Sequence, residues 1–376
     1  MLLKKFNYSE FDEKPMAWSI SGMDLASVNL LVGKNAVGKT NTITRIFWLA
    51  NLISGSQSQL INSANFFAEF DDCGIVFEYT LRIAENVILN EQLRVDGIEK
   101  FIRSNDGTGT IFAVELNSDM KFQIPNNQLV VVAKRDAIQH PFLESLAAWA
   151  EGVRFYPFST DLGQNVILQT NDVNNIIISK DQTKDTNSVI ALYIKGEKDF
   201  PVEFKERIIS AMKDIGYDLE DVGSISISEY HPLAPVLLYI VERSNPNLQI
   251  IHQMMSRGMF RAFSLVIQVT YNTLNNISTT ILVDDVGEGL DYERSTNTIK
   301  VLMKLMDCTD CQLIMSTNDR FVMNSVPIEN WQVIHRDKGA CKVYNYDNAK
   351  EQFDEFRFTG LSNFDFLATE FVLQDR

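Results

Sequence analysis

Residues 33 to 40 read GKNAVGKT: Gly33, four residues, then Gly38-Lys39-Thr40. That spacing suits the cradling of a polyphosphate. Glycine lets the main chain turn its N–H groups inward, the lysine ammonium reaches the β- and γ-phosphates, and the threonine hydroxyl meets magnesium. A second set of chemical groups closes the apolar run ILVDD, residues 281 to 285. Carboxylates at a buried strand end are costly unless they have a task. Here Asp284 can hold a magnesium shell while Asp285 orients or deprotonates water. A third candidate is Ser256-Arg257-Gly258, where the start of a helix makes a second anion-binding N-terminus. One helix start already serves the loop, so this one is free for the γ-phosphate of another subunit.

Positioning these groups requires a strand, the loop and a helix in that order. The run Val28-Asn29-Leu30-Leu31-Val32 supplies the strand, and a helical pattern starts at Thr40-Asn41-Thr42. Alternation over Ile75, Phe77, Tyr79, Leu81 and Ile83, an Ala-Glu-Asn turn and a similar run from Val87 to Val95 predict a hairpin with one buried face. The turn Asn105-Asp106-Gly107 ahead of Ile111 to Leu116 predicts another. Beyond Pro141 the period becomes helical, with Phe142, Leu143, Leu146 and Trp149 on one face. Phe204, Ile208, Met212 and Ile215 form a further apolar stripe, read as core. A long apolar helix, Phe260 to Leu274, precedes the strand Thr280 to Val283, and residues 180–188 read as a mobile loop.

The bulk numbers fit a globular chain with a sizeable core: 376 residues, 45% hydrophobic and 22% charged. No segment approaches the roughly 20 apolar residues of a membrane span, and the N-terminus turns polar too early for a signal peptide. A cytoplasmic protein with no membrane partner is expected. Basic residues number 34 against 49 acidic ones, a net charge of −15. That excess opposes non-specific DNA binding and favours protein partners. Cys73, Cys308, Cys311 and Cys341 are too scattered for a disulfide framework, and the Cys308/Cys311 pair reads as reduced structural thiols. The histidines 140, 231, 252 and 335 show no metal-ligand spacing.

Taken together, these motifs resemble the ABC-type ATPase superfamily, in the branch that holds the SMC proteins, RecF and the OLD-family ATPases. GKNAVGKT corresponds to Walker A, Ser256-Arg257-Gly258 to a reduced signature, ILVDD to Walker B, Gly289-Leu290-Asp291 to the D-loop, and LIMSTND to the strand carrying the switch position. The resemblance implies an α/β P-loop fold of ABC type, with a mixed-sheet core, an antiparallel β lobe and a helical subdomain. It implies a single domain: residues 1–135 for the loop core and β lobe, 136–275 for the helical lobe, 276–350 for the second core half and 351–376 for a tail. ATP and Mg2+ are the implied cofactors. The implied nucleotide-binding set is Gly33, Lys34, Asn35, Ala36, Val37, Gly38, Lys39, Thr40 and Asn41, with Thr40 and Asp284 on the metal. Ser256 and Gly258 would close over ATP held by the partner in a head-to-tail homodimer, with Arg261 just behind them, and Asp291 of the D-loop joins the binding set. Lys39, Asp285 and Asn318 are the implied catalytic set.

Two positions depart from the family pattern. Asp285 stands where the family usually has glutamate, and Asn318 where it has histidine, so slow turnover is expected. The Q-loop glutamine stays open among Gln57, Gln59 and Gln92, and the base-stacking aromatic between Trp18 and Phe11. No heptads separate the motifs, against an SMC-type coiled coil. The segment after the last motor strand is too short for a Toprim nuclease, and its phenylalanines 356, 358, 364 and 366 read as a cap in preference to a docking surface. The expected work is ATP-dependent control of a separate effector, a nuclease or toxin, in bacterial antiphage defence. A RecF-like DNA-binding ATPase and a slow ATP-dependent interaction module are the alternatives.

Overall fold

The computed structural model describes all residues except 58, 170–184, 228–232, 276–279, 307–310 and 375–376. Three strands lead to the phosphate loop: β1 (Leu2–Glu10), β2 (Trp18–Asp24) and β3 (Val28–Val32). After the helix Lys39–Ser54 comes a meander of β4 (Ser63–Asp72), β5 (Ile75–Ala84), β6 (Val87–Val95), β7 (Ile98–Ser104), β8 (Thr108–Ala113) and β9 (Ser118–Gln123). β10 (Arg154–Pro157) returns to the core. β11 (Leu168–Gln169), β12 (Leu219–Ser226), β13 (Pro235–Glu242) and β14 (Gln249–Ile251) form a second sheet. β15 (Thr280–Asp284), β16 (Gln312–Ser316), β17 (Trp331–Asp337) and β18 (Ala340–Tyr344) complete the first.

The main sheet has 14 strands in the order β10-β15-β16-β3-β17-β18-β2-β1-β4-β5-β6-β7-β8-β9. Its first five strands are mutually parallel. The antiparallel lobe expected from the alternating runs is therefore an edge-to-edge continuation of the core sheet. Parallel strands are covered on both faces and read as unbroken apolar runs, and β3 shows why: Leu31 faces one cluster, with the helices Lys39–Ser54 and Pro141–Gly152, while Leu30 and Val32 face another. Leu282 on β15 divides from Ile281 and Val283 in the same way.

The predicted hairpin is β5–β6, and its turn is made by Glu85 and Asn86, both left-handed. Phe77, Tyr79, Leu81 and Ile83 point inward, but Ile75 at the strand start is exposed. The second hairpin forms around residues 105–107, although its strand stops at Ala113 and Leu116 is exposed. The stripe of Phe204, Ile208, Met212 and Ile215 lies inside the helix Glu203–Ile215, packed against the helix Arg257–Leu274. The second sheet in this lobe had no sequence expectation. Of the loop expected over 180–188, residues 180–184 lie outside the described residues, and 186–188 form a 3-10 turn capped by Asp185. Cys308 and His231 also lie outside them.

The C-terminal phenylalanines divide. Phe356 and Phe366 are buried with Phe353 and Phe371 beneath the core sheet, Phe364 is partly buried, and Phe358 is exposed. Among the described residues no helix is long and apolar enough to cross a membrane.

One buried polar network lies in the meander. The Glu91 carboxylate accepts the Tyr79 hydroxyl at 3.0 Å and the backbone N–H groups of Val130 and Val131 at 2.7 and 3.2 Å. Arg103, fully buried nearby, donates to the carbonyls of Gln128 and Pro125. Burial pushes the Glu91 carboxyl up to about 7 against the pull of the N–H donors.

Candidate phosphate-binding site

Lys39 begins its helix directly from Gly38, whose φ of 111° only glycine adopts without strain. Gly33 is required for another reason. A Cβ there would sit 2.8 Å from both the Ile334 carbonyl and Val37. Between them Ala36 takes a left-handed φ of 63°, so the loop turns where no glycine marks it. The Lys39 side chain is buried, with Nζ donating to the carbonyls of Gly33 at 2.9 Å and Lys34 at 3.2 Å. Burial lowers its pKa, opposed by Asp285 and Asp284.

β15 and β16 end beside this loop because β16 pairs with both β15 and β3. Asp284 accepts the Thr40 hydroxyl at 3.1 Å and the Ser316 hydroxyl at 2.5 Å. The Ser316 oxygen in turn accepts the Asp285 N–H at 2.9 Å, which fixes the left-handed turn (φ 54°) at Asp285. Asn318 donates its amide to Asp285 at 3.0 Å, so the two departures from the family pattern bond to each other. Burial, with the charges of Asp284 and Glu288, raises the Asp285 carboxyl above its ordinary value despite Lys39. Thr40 and Asp284 offer a hydroxyl and a carboxylate, the hard oxygen donors magnesium takes while keeping sites for phosphate and water.

A cleft of about 490 Å3 opens over these groups. Asn35, Ala36, Gly38, Lys39, Thr40 and Asn41 line it from the loop, Asp285 and Asn318 from the strand ends, and Arg336 from β17. Ser316 and Arg336 were missed from sequence. The serine inside LIMSTND was the available signal for the first, and β17 carries no motif for the second.

Ser256, Gly258, Arg261 and Asp291 do not line this cleft. Ser256 is exposed and caps the helix Arg257–Leu274, its hydroxyl oxygen accepting the Met259 N–H at 3.3 Å. Gly258 presses on the D-loop: a Cβ there would stand 2.5 Å from the Gly289 carbonyl. Asp291 accepts the Arg294 N–H at 3.0 Å at the start of the helix Tyr292–Met306. The Arg261 guanidinium is held inside its own chain, donating to the carbonyls of Ser159 at 2.6 Å, Thr160 at 2.7 Å and Glu288 at 3.0 Å. It ties the helix Arg257–Leu274 to the loop that follows β15 and to the crossover that follows β10.

The residues left open in the sequence lie away from the cleft. Gln57 donates to the Gln59 carbonyl, Gln92 binds Glu99 on the meander, and none of Gln57, Gln59 and Gln92 lines the cleft. The glutamine at the crossover is Gln164, which donates to the carbonyls of His252 and Met255. Trp18 is packed beneath Gly38 with Tyr8 and Arg45 and offers no free face for a base. Phe11 lies outside the cleft, with the Lys14 ammonium above its ring. His252 is buried with Nδ1 accepting the Leu238 N–H, and Cys341 donates its thiol to the Val37 carbonyl.

No protein-family model matches the sequence, and no curated protein matches it. Solved structures do match. The SMC head bound to the C-winged helix domain of ScpA superposes with a TM-score of 0.54 over 92% of this chain and 97% of that one. This is the fold of the SMC heads. A second SMC head, from Pyrococcus furiosus, with an extended coiled coil and bound to the C-terminal domain of ScpA, covers 95% of this chain and 99% of its own at a TM-score of 0.51. Identities are 11% and 10%. The fold of the SMC heads is thus held here under an almost wholly different sequence.

Proposed function

We propose that this chain is an ATPase that closes head to tail around two ATP molecules and whose open or closed state controls a separate effector protein. The observation that carries this reading is the division of the site. The phosphate loop, Asp285 and Asn318 share one cleft with Asp284 bonded behind Thr40, while the signature Ser256 stands exposed at a helix start outside it. A helix start with free N–H groups binds anions, so a second copy can complete each cleft. Magnesium, when bound, neutralises phosphate charge during hydrolysis. Thr40 and Asp284 would hold it.

In this reading Lys39 exchanges the carbonyls of Gly33 and Lys34 for the β- and γ-phosphates, and the left-handed turn at Ala36 helps aim loop N–H groups at them. Asp285 orients the attacking water and takes its proton, with its raised carboxyl pKa favouring acceptance. Asn318 holds Asp285 in place and cannot shuttle a proton, so turnover is slow. Arg261 and Gly258 make the signature helix and D-loop one unit, so closure at Ser256 is felt at the crossover after β10.

The resemblance to stand-alone OLD-like ATPases supports an effector that is a nuclease or toxin in bacterial antiphage defence. The SMC heads of matching fold, both bound to ScpA domains, support recognition of a protein partner. The acidic excess disfavours the RecF-like alternative, in which DNA is clamped. The test is a pull-down from the native host with Asp285→Ala, held in its ATP state, against Lys39→Ala. A nuclease or toxin recovered only with the first is expected. Repair proteins or nuclease-sensitive DNA recovered with the first instead would move the assignment to the DNA-binding reading.

A further inference from the structure

We infer that Arg336 is a second phosphate-binding cation of the cleft, acting within its own chain on the terminal phosphate and setting a preference for triphosphate over diphosphate. The inference rests on the ATP reading above and adds a residue that no motif marks. Arg336 lies near the end of β17, the strand next to β3, and its side chain lines the cleft with Lys39, Thr40 and Asp285. Nη1 donates to the Ala36 carbonyl at the tip of the phosphate loop at 3.0 Å, and Nε donates to the Lys338 carbonyl at 2.6 Å. Two bonds to backbone fix the plane of the guanidinium. Nη2 has no partner among the described residues and remains available.

Charge makes the case stronger. The cleft is lined by two cations, Lys39 and Arg336, with Asp285 in the lining and Asp284 behind it. A polyphosphate entering beside two carboxylates needs compensation beyond one ammonium and magnesium. Arginine suits the task because its planar fork binds phosphate oxygens while keeping other bonds. Both cations now rest on carbonyls of the phosphate loop, Lys39 on Gly33 and Lys34, Arg336 on Ala36. Loop N–H groups cradle the α- and β-phosphates and Lys39 reaches the β- and γ-phosphates, and Arg336 shares the cleft lining with Asp285 and Asn318, the groups read above as acting at the terminal phosphate. In phosphoryl transfer an arginine so placed also stabilises the charge of the transition state.

The experiment is calorimetric titration of ATP and ADP, each with magnesium, into wild type, Arg336→Ala, Arg336→Lys and Lys39→Ala. The side chain is exposed, so the variants should fold, and equal melting temperatures without nucleotide check this. The expected result is a loss of about 10-fold or more in ATP affinity for Arg336→Ala, with ADP changed less than about twofold and Arg336→Lys only partly restored. An equal loss for ATP and ADP would mean that Arg336 only shapes the loop through Ala36, and would overturn the inference. No loss for either would overturn it too. In both cases wild type still binds ATP and the ATPase reading stands. Wild type that binds neither nucleotide overturns both.

Discussion

The same sheet carries two buried charged clusters that treat their polar groups in opposite ways. In the meander, Glu91 accepts three hydrogen bonds and Arg103 gives its guanidinium to two carbonyls, all supplied by neighbouring chain. In the parallel core, Lys39 rests on the carbonyls of its own loop, and among the described residues it has no ion-pair partner although Asp284 and Asp285 are near enough to raise its pKa. Among the described residues the Asp285 carboxylate has one side-chain partner, the Asn318 amide. The first cluster gives partners to most of its polar groups, the buried Arg103 Nε excepted, and its burial holds the lobe together. The second leaves Lys39 and Asp285 with few partners among the described residues.

Mutation separates them most sharply at Glu91. Glu91→Ala strands two N–H donors, a tyrosine hydroxyl and a buried arginine, and should cost about 3–5 kcal/mol in denaturant unfolding. A loss below about 1 kcal/mol would mean that these bonds do not hold the lobe together. The pH dependence comes next. The Glu91 carboxyl rises from 4.5 to about 7 on folding, so the native state holds a proton the unfolded chain has released. Its contribution is full below pH 4.5 and is lost as pH rises through 7, on the order of 3 kcal/mol. Glu91→Gln should flatten that part of the stability profile.

Arg261→Ala should rank third, at about 2–3 kcal/mol, because three carbonyls lose a charged donor. The same variant should slow turnover, since it unties the signature helix from the D-loop. Full stability with only ATP-driven association lost would return Arg261 to the cross-subunit role implied by the family resemblance. The smallest expected effect is Lys39→Ala without nucleotide, within about 1 kcal/mol of wild type, as deleting a desolvated ammonium offsets the lost bonds. A penalty as large as that of Glu91→Ala would erase the distinction between the clusters.

The sequence made the core legible because its chemistry ties residue type to backbone position. Gly38-Lys39-Thr40 and the acids ending β15 are spaced by what a phosphate requires, and strand order brings Thr40 to Asp284. Gly33, by contrast, answers to the approach of Ile334, a contact that only the fold reveals. The Glu91 network was invisible for a related reason. Alternation from Val87 already puts Glu91 on the inner face with Leu89 and Leu93, and a register shift near Ile83 only exchanges Leu89 for Ile88 there; what alternation cannot show is that the N–H groups of Val130 and Val131 come to meet the carboxylate. Arg261 was read from its distance to Ser256, and spacing along a helix cannot say whether a long side chain reaches a partner or its own neighbouring loops. Arg336 comes into the site through the pairing of β17 with β3, a contact between segments far apart in the chain.

The central claim is that ATP joins two copies by completing each cleft with the other's signature. Its most direct test is the mass in solution of Asp285→Ala by light scattering, with Mg·ATP, with Mg·ADP and without nucleotide. The account predicts twice the monomer mass with ATP alone, and a return to monomer when Ser256→Arg blocks the exposed helix start. A monomer at saturating ATP, with binding shown by calorimetry in the same sample, would contradict it.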